Sequence, residues 1–194
     1  YVLTLGLNYE TSDLTMNFGG LYSRYIGDHF GNLLWAQTIG DTQPNHRFYE
    51  SQGIKTEGSF FAKATQKLTS KLTGFLDLQF RGIDYNVDGT VSGPQDFSVD
   101  DQFAFFNPKA GLTFMLSQKQ NLYFSYAKAQ REPNRTDYEN GSPKPEKLND
   151  FELGWRMKKE KIQAQANLYW MEYQDQLVLT GAIDEVGAPI RQNV

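Results

Sequence analysis

The feature that most constrains this chain is a strict two-residue alternation of apolar and polar side chains, repeated along its length. From Tyr1 to Tyr9 the odd positions are Tyr1, Leu3, Leu5, Leu7 and Tyr9, while Thr4, Gly6 and Asn8 take the other parity. Leu14, Met16, Phe18 and Tyr22 then oppose Thr15, Asn17 and Ser23. Phe60, Ala62 and Ala64 oppose Lys63 and Thr65, and Leu72, Leu76, Leu78 and Phe80 oppose Thr73, Asp77, Gln79 and Arg81. The pattern returns in Phe106 to Phe114, Leu122 to Tyr126, Phe151 to Trp155 and Ile162 to Trp170. Successive side chains of a strand point to opposite faces, so each segment reads as an amphipathic strand, about eight in all. Spanning helices are excluded. The longest apolar runs, such as Phe103–Phe106, reach about four residues against the roughly 20 a crossing helix needs.

Polar turns at 10–13, 68–71, 117–120 and 158–161 alternate with long connections at about 25–56, 84–103, 128–147 and from 174 onward. Long structureless loops are uncommon in compact domains. Short turns on one rim and long loops on the other are the layout of an antiparallel, up-and-down outer-membrane β-barrel. Residues 1–194 are therefore read as one all-β domain, a transmembrane barrel segment with periplasmic turns and extracellular loops. A soluble antiparallel barrel or sandwich alternates too. The polar face separates the two readings. Asp77, Gln79, Arg81, Lys109, Asp150, Glu152, Arg156 and Asn167 are too charged for a small packed core and suit a wet lumen. The apolar face then meets outer-membrane lipid, with aromatics such as Tyr1, Tyr9, Tyr22, Phe80, Tyr126, Trp155 and Trp170 as interfacial girdles.

Lys and Arg number 19 against 23 Asp and Glu, a net charge of -4, which argues against a nucleic-acid partner. The absence of Cys removes disulfides, thiolate metal sites and thiol catalysis together. No Lys- or Arg-led apolar segment opens the sequence, and Tyr1 already lies in an alternating run. The chain is expected to be an internal piece of something longer.

Phe105-Phe106-Asn107-Pro108-Lys109-Ala110-Gly111-Leu112, and Leu122 to Ala127 running into Arg131-Glu132-Pro133, resemble strand segments of TonB-dependent outer-membrane receptors. So does Pro143-Lys144-Pro145-Glu146-Lys147-Leu148-Asn149-Asp150-Phe151-Glu152-Leu153-Gly154-Trp155-Arg156, which is similar to the start of a barrel strand after an extracellular loop in that family. Ala166 to Tyr173 and Asp175 to Leu179 continue the likeness, and the last ninety or so residues look most like the Bacteroidetes branch. The resemblance implies a 22-stranded barrel around an N-terminal plug, energised through TonB, in the bacterial outer membrane. It implies transport rather than catalysis, with a scarce or bulky ligand such as a ferric chelate, a vitamin or a glycan. Nothing in these residues resembles the plug or a TonB box, so the likeness is to a barrel fragment, about a third of such a barrel.

Several residues are candidates for binding. Tyr25, His29, Trp35 and His46 share the first long loop, where aromatics could clamp a ligand or simply pack on one another. Arg131 and Arg135 belong to the run Arg131-Glu132-Pro133-Asn134-Arg135 at the start of the third loop, which either helps seat plug or ligand or forms a rim ion-pair cluster. His29 and His46 lack any spacing that fixes a metal. Asp84-Tyr85-Asn86-Val87-Asp88-Gly89 matches the first half of a calcium loop, D-x-N-x-D-G, but Gln95 stands where a bidentate Glu belongs. The expectation is no cofactor, with calcium on Asp84, Asn86 and Asp88 as the alternative to an ordinary Asp-Gly turn. Asp150 and Glu152 are paired carboxylates without a nucleophile or convergent pocket, and read as lumen wall. A passive porin or small complete barrel, an outer-membrane enzyme, and a soluble lipocalin-like binder remain as rival readings.

Overall fold

The structure is a computed structural model that describes residues 1–38, 40–91, 95–183, 187 and 189–194. Eight strands pair in chain order into one antiparallel sheet. They are β1 (Val2–Glu10), β2 (Leu14–Asn32), β3 (Arg47–Lys67), β4 (Leu72–Val91), β5 (Gln95–Ser117), β6 (Gln120–Arg131), β7 (Glu146–Lys158) and β8 (Gln163–Gln174). A five-residue helix, α1 (Arg135–Glu139), lies between β6 and β7. The up-and-down order and the short turns near 10–13, 68–71, 117–120 and 158–161 agree with the alternation.

Three of the long connections are shorter than the alternation suggests. β2 to β5 have 19, 21, 20 and 23 residues, about twice the roughly 9–11 a tilted crossing requires. Most of 25–56 and of the described part of 84–103 is strand, leaving 33–46 as the first connection; Ile39 and 92–94 lie outside the described residues. The third connection narrows to 132–145 and contains α1. The segment from 174 onward is not a plain loop either. Leu177-Val178-Leu179 carries enough β-branched and apolar character to form β9 (Leu177–Ile183), paired with β10 (Pro189–Asn193) as a separate hairpin. Residues 184–186 and 188 lie outside the described residues.

Register assigns the two faces. Leu76 pairs with Ala110, Ala110 with Tyr126, Tyr126 with Phe151 and Phe151 with Trp170. Leu72, Leu78, Phe80, Leu153, Trp155 and Leu168 share that parity, here the outer face. Asp77, Gln79, Arg81, Lys109, Asp150, Glu152, Arg156 and Asn167 all lie on the other, inner face. A one-residue slip would exchange the two sets, so register is strongly specified.

Above Phe80 the chemistry of the faces inverts while the pleat continues. Outer positions become Asp84, Asn86 and Asp88 on β4, facing Gln102, Asp100 and Ser98 on β5. Inner positions become Ile83, Tyr85, Val87 and Val91. Val87, Val91, Phe97 and Val99 form a buried cluster, with Tyr85 and Tyr138 of α1 packed against it. Each such side chain contributes about 1.5–3 kcal/mol when fully buried. The sheet is thus apolar outside below and apolar inside above.

Candidate functional site

The lower inner wall is polar and internally bonded. Lys63, Asp77 and Lys109 form a cross-strand row of alternating charge. Asn107 Nδ2 donates to Gln79 Oε1 at 3.3 Å, and Tyr123 Oη donates to Glu152 Oε1 at 2.5 Å. The Arg156 guanidinium lies over the Tyr123 ring at 4.0 Å, and Lys109 Nζ over Phe75 at 5.9 Å. Oδ1 of Asn107, Asn121, Asp150 and Asn167 is buried without a hydrogen-bond partner.

The upper inner wall is built by the 132–145 connection folding over β3, β4 and β5. Glu132 accepts from Lys55 Nζ at 2.5 Å and from Arg81 Nη2 at 3.4 Å, while Arg81 Nε donates to Glu57 Oε1 at 3.0 Å. The Glu132 side chain is only 11% exposed. Burial pushes its carboxyl up, but the Lys55 hydrogen bond and the charges of Lys55 and Arg81 outweigh it and hold it below the usual carboxylate value. Next, α1 starts with a capping box. The Asn134 N–H donates to Asp137 Oδ2 at 2.9 Å and the Asp137 N–H to Asn134 Oδ1 at 3.2 Å. Arg135 pairs with Glu139 at 2.5 Å, donates to Ser51 Oγ at 3.3 Å and lies over Phe97 at 5.5 Å. Tyr138 Oη donates to Asp101 Oδ2 at 2.5 Å. Burial first, then that hydrogen bond, raises the Tyr138 phenol far above its ordinary value. Gly89, with φ 137°, lets β4 pass close to Glu50 and Ser51, where any side chain would collide with their backbone.

The residues picked out in the sequence fall in different places. Tyr25 and His29 lie on the inner face of β2, opposite Lys55 and Ser51. Trp35 stands 78% exposed in the 33–46 connection, and the His46 N–H closes a turn onto the Gln43 carbonyl at 3.1 Å. The structure does not bring Trp35 or His46 into a bonded cluster with Tyr25 and His29. Arg131 pairs with Glu146 at 2.5 Å across β6 and β7, and Arg135 is a pin of α1 rather than a free rim charge. Asp84-Tyr85-Asn86-Val87-Asp88 is not a loop but extended β4. Asn86 donates its amide to Asp84, and Gln102 Nε2 donates to Asp84 at 3.1 Å. A calcium loop wraps its oxygens round an ion, whereas a strand spaces them along one face. Among the described residues no group of three or more His, Cys, Asp or Glu could hold a metal.

The sequence marks Glu132 only as part of the Arg131–Arg135 run, and it does not mark Lys55, Glu57, Asp101 or Tyr138 as site residues. One signal was present: Asn134 three residues before Asp137 is a capping-box spacing that marks a helix start. The partners across 51 and 77 residues carry no local mark.

A long-stranded antiparallel sheet, lipid-compatible outside and charged inside, defines the wall of an outer-membrane β-barrel. The chain matches the family described as TonB dependent receptor-like, beta-barrel, over residues 1–194, and belongs to it. Its members are transporters of the bacterial outer membrane, not enzymes. A comparison with curated proteins finds no match. Among solved structures the chain is similar to the copper transporter OprC (TM-score 0.75, 18% identity, 98% of this chain and 32% of that one). It is also similar to the ferric-catecholate import receptor Fiu from E. coli K12 (TM-score 0.65, 14% identity, 98% and 33%). A third is the ferric yersiniabactin uptake receptor FyuA from Yersinia pestis (TM-score 0.62, 16% identity, 91% and 29%). At these identities the likeness is one of fold, and the chain spans about a third of each receptor's length.

Proposed function

We propose that this sheet is one sector of a TonB-energised receptor that takes up a scarce or bulky ligand, such as a ferric chelate, a vitamin or a glycan. The observation that carries the reading is the inner wall. Its charged and polar rows, Lys63, Asp77 and Lys109 across three strands and Gln79 with Asn107 above them, suit a polar occupant of the lumen. The receptor's own plug, gated through TonB, is that occupant. The relatives named above include receptors for ferric catecholate and ferric yersiniabactin and a copper transporter, which supports a metal chelate as cargo. Upper inner residues Tyr25 and His29 face the ligand's route, with Arg131 and Arg135 holding its wall and Trp35 and His46 at its rim.

The test is growth and uptake with the full-length gene. Deletion abolishes growth on a limiting ferric chelate, vitamin or glycan, and removal of TonB abolishes it equally. Uptake that persists without TonB sinks the reading and favours a passive pore.

A further inference from the structure

We infer that the outer face beside the 68–71 turn seats one anionic glycerophospholipid, an acyl chain in an apolar groove and the phosphate on the lysines of the short-turn rim. The inference needs the barrel's place in the membrane and not its cargo. The groove, about 520 Å3, opens on the lipid-facing side of β3 to β6. Ala64, Gly74 and Ala110 form its floor, and Leu68, Leu112 and Phe124 its walls. Register puts Gly74, Leu112 and Phe124 in one row and Ala64, Leu76 and Ala110 in the next. A Cβ on Gly74 would stand 3.3 Å from Leu68 and 3.4 Å from Leu112, so bare backbone keeps a notch open between two leucines. From Leu72 to Leu76 the strand rises about 13 Å. One leaflet's hydrocarbon is roughly 15 Å deep, so the groove matches the reach of a single chain from the rim.

Charge selects the head group. The chain carries a net charge of -4, yet its short-turn rim runs the other way. The turns at 10–13, 68–71, 117–120 and 158–161, with Lys67 beside the second, hold Lys67, Lys71, Lys119, Lys158, Lys159 and Lys161 against Glu10, Asp13 and Glu160. Six lysines against three carboxylates leave three positive charges in excess. All six lysines are exposed, and among the described residues only Lys67 has a carboxylate partner, Asp13 at 3.7 Å. Lys71 shares its turn with Leu68 of the groove wall. Its N–H donates to Thr69 Oγ1 at 3.2 Å, and its carbonyl accepts from the Met115 N–H at 2.8 Å. At the turn end of the groove the Gln66 amide is exposed and makes no side-chain bond among the described residues, whereas the Tyr126 hydroxyl already donates to Asn149 at 2.9 Å. Short turns of such barrels face the periplasm. Lysines there attract anionic heads within a Debye length, and a zwitterionic head brings a cation of its own to the same place and gains less.

The test is native mass spectrometry of the full-length receptor in detergent, titrated with phosphatidylglycerol or with phosphatidylethanolamine of the same chains. Phosphatidylglycerol should be retained at a concentration about fivefold lower or better. Ala110→Phe fills the groove and should remove one retained phosphatidylglycerol. Ala64→Phe does the same from the neighbouring strand, so the count is read from whichever variant keeps the unfolding temperature of the starting receptor. Lys71→Gln with Lys119→Gln leaves the groove open and should weaken phosphatidylglycerol retention about fivefold or more, with phosphatidylethanolamine unchanged. Excess inorganic phosphate should displace nothing. Equal retention of the two lipids in the starting receptor overturns the proposal, as does a lipid count that neither groove variant lowers. So do displacement by phosphate alone and a receptor dimer, in place of bound lipid, that Ala110→Phe dissociates.

Discussion

The lower and upper halves of β4 and β5 share one pleat and one register, yet they bury opposite faces. Below, the outer residues are Leu72, Leu76, Leu78 and Phe80, and the inner ones include Asp77 and Arg81. Above, the outer residues are Asp84, Asn86 and Asp88, and the inner Val87, Val91, Phe97 and Val99 form a buried cluster. The backbone does the same thing in both halves, and what changes is the medium on each side. Lipid outside and water inside favour one arrangement; water outside and α1 inside favour its mirror. The switch needs no bulge, only a change in which parity is apolar.

The comparison breaks most readily at Val87. It is 1% exposed on the inner face, ten residues above Asp77, which carries a charge on that same face. Val87→Asp places an unpaired charge in the upper cluster and should cost about 3–5 kcal/mol, read as lost hydrogen-exchange protection over the described parts of 84–101 in the full-length receptor. Equal protection would mean that the upper cluster holds nothing together.

On the outer face the contrast reverses. Leu76→Arg should destabilise the folded barrel by about 2–4 kcal/mol, as for a basic residue near the bilayer midplane. Asn86→Arg, ten residues along the same face, should stay within about 0.5 kcal/mol. Urea titration of full-length receptor in lipid vesicles measures both, and equal costs would erase the boundary placed above Phe80.

Glu132 tests how firmly the upper wall is tied down. Its carboxyl is held below its ordinary value, so its stabilising contribution is whole above the unfolded-state value of about 4.3 and is lost as pH falls through the lowered folded one. Exchange protection of 132–145 should therefore fall only at acid pH. Glu132→Gln should cost about 1–2 kcal/mol at neutral pH and flatten that acid dependence. A smaller change follows at the helix start, where Asn134→Ala removes half the capping box for about 1 kcal/mol, seen as local opening of α1. The smallest expected effect is none. Several millimolar calcium should leave proteolysis of 84–101 unchanged, and Asp88→Asn should behave likewise, because these oxygens line a strand. Calcium protection lost in Asp88→Asn would restore the loop reading.

How far the chain was legible follows the same division. The lower strands were readable because their alternation keeps one phase, apolar at Leu72, Leu76, Leu78 and Phe80. At Ile83 the apolar phase moves to odd positions, and a reading that expects one phase stops the strand there. Such a reading makes Asp84 to Gly89 a loop, although Asp84-Tyr85-Asn86-Val87-Asp88 alternates as strictly as any segment. The inner candidates Asp77 to Asn167 could be placed on one face from parity alone. The Glu132 network could not, since its members meet from three separate parts of the chain.

By itself, the sequence determined which residues share a face and where the tight turns lie. Both are local properties: the side-chain period of an extended chain is two, and a few polar residues suffice to reverse it. The tertiary structure decided how far each strand extends, which face is buried at each height, and which charges meet. Those outcomes depend on pairing across neighbouring strands and on α1 folding back over them. A burial free energy belongs to two surfaces at once, and no single segment contains both.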